Sequence, residues 1–414
     1  MSSLQPVRGT HDILPEDMRR HRRVAETARA LAEGYGYLEM ATPIFEFTEV
    51  FRRPLGETSD IVSKEMYSFA DRGGDEITLR PEATAAVARA VLSHGLTQQL
   101  PCKFFSHGPM FRYDRPQKGR LRQFHQVNIE LIGVAEPLGD VEVIALGAHL
   151  LEALGVAERT RLELNTLGDA ASRLAYRAVL VEYFGDHRER LSEESRQRLS
   201  RNPLRILDSK DAGDRRIVAG APAIAQHLNQ ASVDFFAAVQ EGLRAIGIAF
   251  HLNPHLVRGL DYYTHSIFEF TTTALGAQGT VLAGGRYDGL IELIGGPPTP
   301  GVGWAAGIER LAMLTGDPPP ARRPIAVIPV GAAAEAAALT LTQTLRRDGY
   351  AVDLGFGGNL RKRMKRADKA NARAAVLLGE DELARNAASV RDLDSGDQEV
   401  VGLDALTERL ARYR

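Results

Sequence analysis

The stretch FRYDRPQKGRLRQFHQ, residues 111–126, sets Arg112, Arg115, Lys118, Arg120 and Arg122 against a single acid, Asp114. The whole chain carries a formal charge of only -2 over 414 residues, so this cation density is local. Arginine suits one task above others: its planar fork meets the oxygens of a phosphate or carboxylate in pairs. Pro116 and Gly119 are poor strand-interior residues and mark a loop between two strands within residues 104–134. Beyond the loop, a period of two puts Arg122, Phe124, Gln126, Asn128 and Glu130 on one face. Gln123, His125, Val127, Ile129 and Leu131 fall on the other, which becomes apolar as it enters the fold. The polar face has two readings. It is the wet face of an antiparallel sheet, or it floors a pocket. In a pocket, cations at the mouth would bind phosphates, and Gln126 and Glu130 deeper in would read a small polar molecule.

Four further segments bear on that choice. TLRPEATAAV, residues 78–87, places Pro81 and Glu82 where a first helical turn favours both without any ligand. LVRGLDYYTHSIFEF, residues 256–270, is harder to explain structurally. There Arg258 and Gly259 precede Tyr262 and Tyr263, which offer apolar walls with hydrogen-bonding tips. AGGRYDGL, residues 283–290, either repeats a glycine–arginine–tyrosine group or makes a tight turn. GVGWAAGIERL, residues 301–311, superficially matches the dinucleotide fingerprint G-x-G-x-x-A. It follows GGPPTP instead of a βαβ strand, and the acid expected about 20 residues on is missing, which argues against a dinucleotide. A glycine-rich strand running into a helix, with Arg310 in the first turn, suits a flat base and phosphates.

These segments need a large scaffold, and 414 residues suffice for at least two domains. The hydrophobic fraction of 44% and charged fraction of 25% are ordinary for a soluble globular chain. The single cysteine, Cys102, excludes an internal disulfide and a four-thiolate zinc site. The first residues lack the apolar core of a signal peptide, and no run approaches the ~20 apolar residues of a membrane span. A cytoplasmic location without membrane contact is therefore expected. TGDPPPARRP, residues 315–324, reads as a stiff linker. It divides a first domain, 1–320, from a second, 323–414. The first is expected to hold a helix from Asp17 to Gly34 with an apolar stripe at Val24, Ala28 and Leu31, and an extended YLEMATPIFEF at 37–47. The hairpin follows, then a mainly helical insertion at about 169–245, then strands at SIFEFTT and GTVLAGGRYDGL. The second domain reads as α/β. Its strands are expected at IAVIPV, YAVDLGF and AAVLLGE, with a hairpin turning near Ser395 and Gly396 and a last helix at DALTERLARYR. Its basic helix, NLRKRMKRADKANAR at 359–373, carries seven Lys/Arg against one Asp.

Taken together, these segments resemble histidyl-tRNA synthetase, a class II aminoacyl-tRNA synthetase, over essentially the whole chain. GYLEMATPIFEFTEVF is similar to class II motif 1, FRYDRPQKGRLRQFHQ to motif 2 and GVGWAAGIERL to motif 3. LVRGLDYYTH and AGGRYDGL resemble the two histidine-specific signatures, and the part after the linker resembles an anticodon-binding domain. Two positions depart from the family pattern. Ala83 stands where glycine usually follows the glutamate of LRPE, and Asn128 replaces a small residue. The resemblance implies an α+β class II catalytic domain, mainly antiparallel sheet flanked by helices, with a helical insertion and a C-terminal α/β anticodon-binding domain. It also implies a homodimer formed through motif 1.

The implied reaction is ATP-dependent activation of L-histidine to histidyl-adenylate, followed by transfer to the 3′ end of tRNA-His. The partners are then ATP with Mg²⁺ on its phosphates, histidine and tRNA-His. The substrate carboxylate is ionised at pH 7, so activation needs positioning and charge stabilisation and no protein nucleophile. By resemblance Arg112 and Arg258 would hold the α-phosphate, Arg258 also the histidine carboxylate, and Arg310 the ATP tail. Glu82, Thr84 and Gln126 would accept from the α-ammonium. Glu130 and Tyr263 would meet the two ring nitrogens, and Tyr262 would shape the wall. Arg115, Gln117, Lys118 and Arg120 would touch the tRNA acceptor end, or form a solvated loop. Arg361, Lys362 and Lys365 would contact RNA backbone, or form a solvated helix face.

Three rivals remain in view. A histidine-sensing regulatory subunit of a biosynthetic enzyme would typically lack the last domain and erode Arg112, Arg258 and Arg310. A pure RNA-binding module would leave the arginine set unexplained. A metal hydrolase is disfavoured, because no grouping has ligand spacing such as H-E-x-x-H.

Overall fold

The structure, a computed structural model, describes residues 4–56, 59–276 and 279–414. It divides into two compact units, Met1–Pro318 and Pro319–Arg414. The strands in chain order are β1 Leu38–Glu39, β2 Phe45–Phe47, β3 Tyr67–Ala70, β4 Glu76–Leu79, β5 Cys102–Phe111, β6 Gln123–Ile132, β7 Arg161–Thr166 and β8 His251–Leu252. They continue as β9 Thr264–Thr271, β10 Thr280–Arg286, β11 Gly301–Gly307, β12 Ile325–Pro329, β13 Val352–Leu354, β14 Ala374–Leu378, β15 Ala387–Asp392 and β16 Gln398–Gly402.

The first unit is built on an eight-stranded sheet ordered β1-β5-β6-β11-β10-β9-β7-β8. Its interior pairings are antiparallel, and only the short edge strands β1 and β8 pair in parallel. This is the α+β architecture expected, with helices on the apolar face. Val127, Ile129 and Leu131 join Leu146, Leu150, Phe268 and Trp304 in one core. Burying each such side chain contributes roughly 1.5–3 kcal/mol. Helices supply the cover. Pro15–Gly34 buries Val24, Ala28 and Ala32, Pro137–Ala153 buries Leu146 and Leu150, and Gln230–Ala245 buries Val239 and Leu243. The expected stripe of the first helix is thus shifted at its end, since Leu31 is only partly buried and Ala32 takes the inner position.

The stretch 169–245 is helical, but its parts pack differently. Tyr176, Leu180 and Phe184 join a second core with Phe51, Val87 and Tyr262, while Val239 and Leu243 belong to the core under the sheet. Pro81 precedes its helix. The helix spans Thr84–Ser93 with Ala83 at its cap, so Pro81 does not sit in the first turn. Glu82 nevertheless accepts from the Ala85 amide at 2.8 Å, which suits a carboxylate at a helix start.

The polar face of the sheet is open because its neighbours are small. Across β6 and β11, Glu130 lies opposite Gly303, Asn128 opposite Ala305 and Gln126 opposite Gly307. A Cβ at Gly303 would run into the Glu130 carboxylate and the Ile129 carbonyl.

The second unit holds a five-stranded sheet, β13-β12-β14-β15-β16, parallel around β12 and antiparallel from β14 onward. Gly396, at φ +82°, makes the expected turn of the β15–β16 hairpin. The basic helix runs Leu360–Lys369, shorter than expected, because Asn371 turns left-handed at φ 52°. The strand in YAVDLGF shrinks to Val352–Leu354, and the last helix to Leu406–Leu410 between tight turns.

Candidate active site

A cavity of about 790 Å³ opens on the polar face of the large sheet. Arg112, Arg258 and Arg310 all line it, though they come from three distant segments. Arg112 follows β5. Its Nε donates to the Pro81 carbonyl at 2.9 Å, and its guanidinium lies 5.5 Å from the Phe124 ring centroid. Arg258 sits on the loop before β9 and is ion-paired with Glu269 of that strand. Glu269 also accepts from the Thr280 hydroxyl at 2.8 Å. Arg310 lies in the first turn of the helix Ile308–Leu314. It donates from Nε to the Gly119 carbonyl at 2.9 Å and from Nη1 to the Thr280 carbonyl at 2.6 Å. Burial lowers the pKa of Arg310, and the charges of Arg120 and Arg112 push the same way. Such guanidiniums remain cationic. They repel one another until an anion bridges them.

Carboxylates and phenols form the other end. Glu82 is 5% exposed and accepts from the Tyr262 hydroxyl at 3.2 Å. Burial raises its pKa. Glu130 is 1% exposed. It accepts from the Thr84 hydroxyl at 2.6 Å and from the Tyr287 hydroxyl. Burial pushes its pKa up to about 8, despite those two hydrogen bonds. Tyr262 and Tyr263 are buried with ring centroids 4.7 Å apart, and Arg258 lies 5.9 Å from the Tyr263 centroid. The Gln126 Oε1 is buried with no partner. A buried acceptor left so is costly unless a donor arrives.

The structure therefore brings Glu82, Thr84, Arg112, Gln126, Arg258, Tyr262, Tyr263 and Arg310 to one cavity. Glu130 departs from the expectation of direct contact. Its carboxylate lies over Gly303 and is covered by the Thr84 and Tyr287 hydroxyls, whose residues line the cavity. Arg120 also turns into the cavity, paired with Asp114 at 3.1 Å, whereas Arg115, Gln117 and Lys118 stay exposed. Gln117 and Lys118 border a second cavity of about 540 Å³ beside Glu309. There His21, His125 and Glu309 bring possible ligand atoms within 4.8 Å of one another. Glu309 already accepts from the His125 amide at 2.9 and 3.0 Å, and its Oε1 lies 2.9 Å from His125 Nδ1. The group is a clasp between β6 and the Arg310 helix. In the second unit, Arg361, Lys362 and Lys365 are exposed, while Arg363 turns inward to the Pro329 carbonyl.

Sequence reasoning missed Tyr287 and Glu269 as individual residues. Tyr287 lay inside the quoted AGGRYDGL. Glu269 is the one acid in SIFEFTT, and a lone carboxylate in a buried strand is itself a signal that a cation lies nearby.

A family profile described as histidyl-tRNA synthetase matches residues 9–311, and one described as anticodon binding domain matches residues 324–413. The chain is 63% identical to a histidine–tRNA ligase of Rhodospirillum rubrum over 100% of both chains. It is 58% identical to one of Gluconacetobacter diazotrophicus over 99% of each. Among solved structures, the apo histidyl-tRNA synthetase of S. aureus superposes with a TM-score of 0.82 at 34% identity, covering 98% of this chain and 99% of that one. With both profiles together reaching from residue 9 to residue 413, the chain belongs to the histidyl-tRNA synthetase family.

Proposed function

We propose that this cavity activates L-histidine with ATP and then passes the histidyl group to tRNA-His. The observation that carries the reading is the meeting of Arg112, Arg258 and Arg310 with the buried acids Glu82 and Glu130 around one cavity. A histidine carboxylate oxygen attacks the α-phosphorus of ATP. The bond to the bridging oxygen breaks, and pyrophosphate leaves. The attacking oxygen carries no proton, so the protein supplies geometry and charge. Arg112 and Arg258 hold the α-phosphate from two sides, and Arg310 holds the far phosphates. Phe124, beneath Arg112, offers a flat surface for the adenine.

The histidine ammonium meets Glu82, Gln126 and Thr84. The Thr84 hydroxyl proton is committed to Glu130, which leaves its lone pairs to accept. Tyr263 takes one ring nitrogen. With histidine bound and the Glu130 carboxylate ionised, Glu130 acts on the other through the Tyr287 hydroxyl, accepting its hydrogen bond and leaving a lone pair for the ring. In the second step a hydroxyl at the tRNA 3′ end attacks the acyl carbon, and AMP leaves. Arg115, Gln117, Lys118 and Arg120 on the loop beside the cavity guide that end of the tRNA. Arg361, Lys362 and Lys365 meet the anticodon stem-loop phosphates. Mg²⁺ enters with ATP, held by phosphate oxygens and water. Glu269, already engaged with Arg258 and Thr280, has little capacity left to ligate it.

A homodimer fits the exposed face of the β2-β4-β3 sheet. Phe47 and Phe69 both lie opposite Ile77 of β4 and are 61% and 49% exposed, and Phe45 beside them is 57% exposed. Such a patch invites a second copy. No helix among the described residues is long and apolar enough to cross a membrane. A cytoplasmic location agrees with the supply of ATP and tRNA. The regulatory alternative is disfavoured, since all three arginines reach the cavity and the second unit is present.

Histidine-dependent exchange of labelled pyrophosphate into ATP tests the reading. Exchange is expected, and Arg258→Ala should lower it by about 10²–10³-fold, the usual loss for one charge-stabilising donor. Absence of exchange in a folded, ATP-binding protein would sink it.

A further inference from the structure

Asn128 is 1% exposed and lines the cavity floor between Gln126 and Glu130. Its cross-strand neighbours are small. Ser106 stands on β5 and Ala305 on β11, and beyond Ala305 come Ala283 of β10 and then Glu269 of β9. The amide orientation is set by Ser106, whose carbonyl lies 3.5 Å from Asn128 Nδ2. Turning the amide over would set two carbonyl oxygens against each other, so Oδ1 faces away from Ser106. That oxygen is buried with no partner. Gln126 Oε1, two residues along on the same face, is in the same state. Two such acceptors side by side call for one donor-rich group. An ammonium, with three N–H donors, meets that description, and Glu130 two residues along the same strand gains from a cation beside it.

We propose that Asn128 is a further substrate-binding residue, whose side-chain carbonyl accepts from the α-ammonium of histidine beside Gln126. The proposal rests on the reading of the cavity as the histidine site. An ammonium bonded to both amides would hold their oxygens within roughly 5–6 Å of each other. Alternate residues of one strand, about 7 Å apart at Cα, reach that separation by leaning together. The ammonium has three N–H donors, so with Asn128 beside Glu82, Thr84 and Gln126 one of the four acceptors shares a donor with its neighbour. Asn128 lets the pocket read the amino group from below as well as from the side.

The test is Asn128→Ala, compared with the wild type in three measurements. Histidine and histidinol, which both keep the ammonium, should bind about 10-fold or more weakly, as expected for a lost hydrogen bond to a charged group. Imidazolepropionate, which lacks the ammonium, should inhibit pyrophosphate exchange with a constant changed by less than about 2-fold. The melting temperature of the ligand-free variant should fall only slightly, since the unpaired acceptor goes together with one long contact to the Ser106 carbonyl. Unchanged histidine affinity overturns the proposal. So does equal weakening of all three ligands, or a drop in the ligand-free melting temperature that accounts for the loss. Failure of the wild type to exchange with histidine would instead sink the synthetase reading, so the two failures are distinguishable.

Discussion

Replacing Glu130 by glutamine should make the first unit less sensitive to alkali. The Glu130 carboxyl is buried, and burial pushes its pKa up to about 8. In the unfolded chain a glutamate titrates near 4.3. Between those values the folded state keeps a proton that the unfolded state has lost. The contribution of this group is therefore fully present below about pH 4, falls as pH rises, and levels off above about pH 8. At about 1.36 kcal/mol per unit of pKa difference the whole swing is roughly 3–5 kcal/mol. A unit of this size has an unfolding entropy that converts 1 kcal/mol to about 1–2 °C. Glutamine keeps the shape and never ionises. The melting temperature of Glu130→Gln minus that of the wild type should therefore grow by about 5 °C between pH 5 and pH 8. Melts at half-unit pH steps, followed by circular dichroism, read this difference directly. Saturating histidine should shrink it, because a bound cation stabilises the ionised carboxylate. A difference constant to within about 1 °C across the range would refute the reasoning. Glu130 would then titrate like an ordinary surface acid, and its burial would carry no electrostatic consequence.

Gly303→Ala should weaken histidine binding at least 100-fold or unfold the first unit, since its Cβ would meet the Glu130 carboxylate and the Ile129 carbonyl. Calorimetric titration and a melt together decide, and normal affinity in a stable variant would count against the geometry. Arg115→Ala with Lys118→Ala should lower tRNA aminoacylation about 10-fold while changing pyrophosphate exchange far less, because both side chains are exposed on the loop. Equal losses in the two assays would place the loop in activation instead. Triple substitution of Arg361, Lys362 and Lys365 by alanine should reduce the slope of log affinity for tRNA against log salt by about 2, measured by filter binding. Burial alone would push Asp214 up, yet the Ser192 amide and the hydroxyls of Ser195, Ser209 and Ser192 hold its carboxyl down at about 2. Its contribution is present above about pH 4 and lost as pH falls toward 2. Asp214→Asn should then lower the melting temperature at pH 7 and converge with the wild type in strong acid, and parallel curves would contradict this.

The hairpin strand β6 was legible because register is a hard constraint. A slip of one residue would put Val127, Ile129 and Leu131 into the cavity and Gln126, Asn128 and Glu130 into the core. Any odd-numbered slip exposes the apolar set in this way. The helix Pro15–Gly34 was legible for the same reason, with a 3.6-residue stripe and glycines at its end. The hydrogen bonds of the site were hidden because they join residues far apart in sequence. Thr84 meets Glu130 across 46 residues, and Tyr287 meets it across 157. Only the order of strands in the sheet makes them neighbours, and no local period encodes that order. Helix ends were also hidden where one residue leaves the helical region, as Asn371 does after the basic helix.

The charge arrangement of the cavity explains why both substrates belong to one site. At one end burial, with the charges of Arg120 and Arg112, lowers the pKa of Arg310, and burial lowers that of Arg112, so these cations gain when a polyanion bridges them. At the other, Glu82 and Glu130 are pushed toward the neutral form by burial and gain when a cation replaces water. In the proposed reading ATP would relieve the first strain through its phosphates, and histidine the second through its ammonium. The histidine carboxylate would then be the substrate charge on the boundary. It is drawn toward the arginines by the same field that repels it from the acids. On that reading the reacting oxygen would be held against the α-phosphate by charges fixed before either ligand arrives, leaving little reorganisation when the bond forms. Arg258 is ion-paired with a carboxylate partner, Glu269, that also lines the cavity. This partner holds the guanidinium in place while its unpaired Nε remains available to an incoming oxygen.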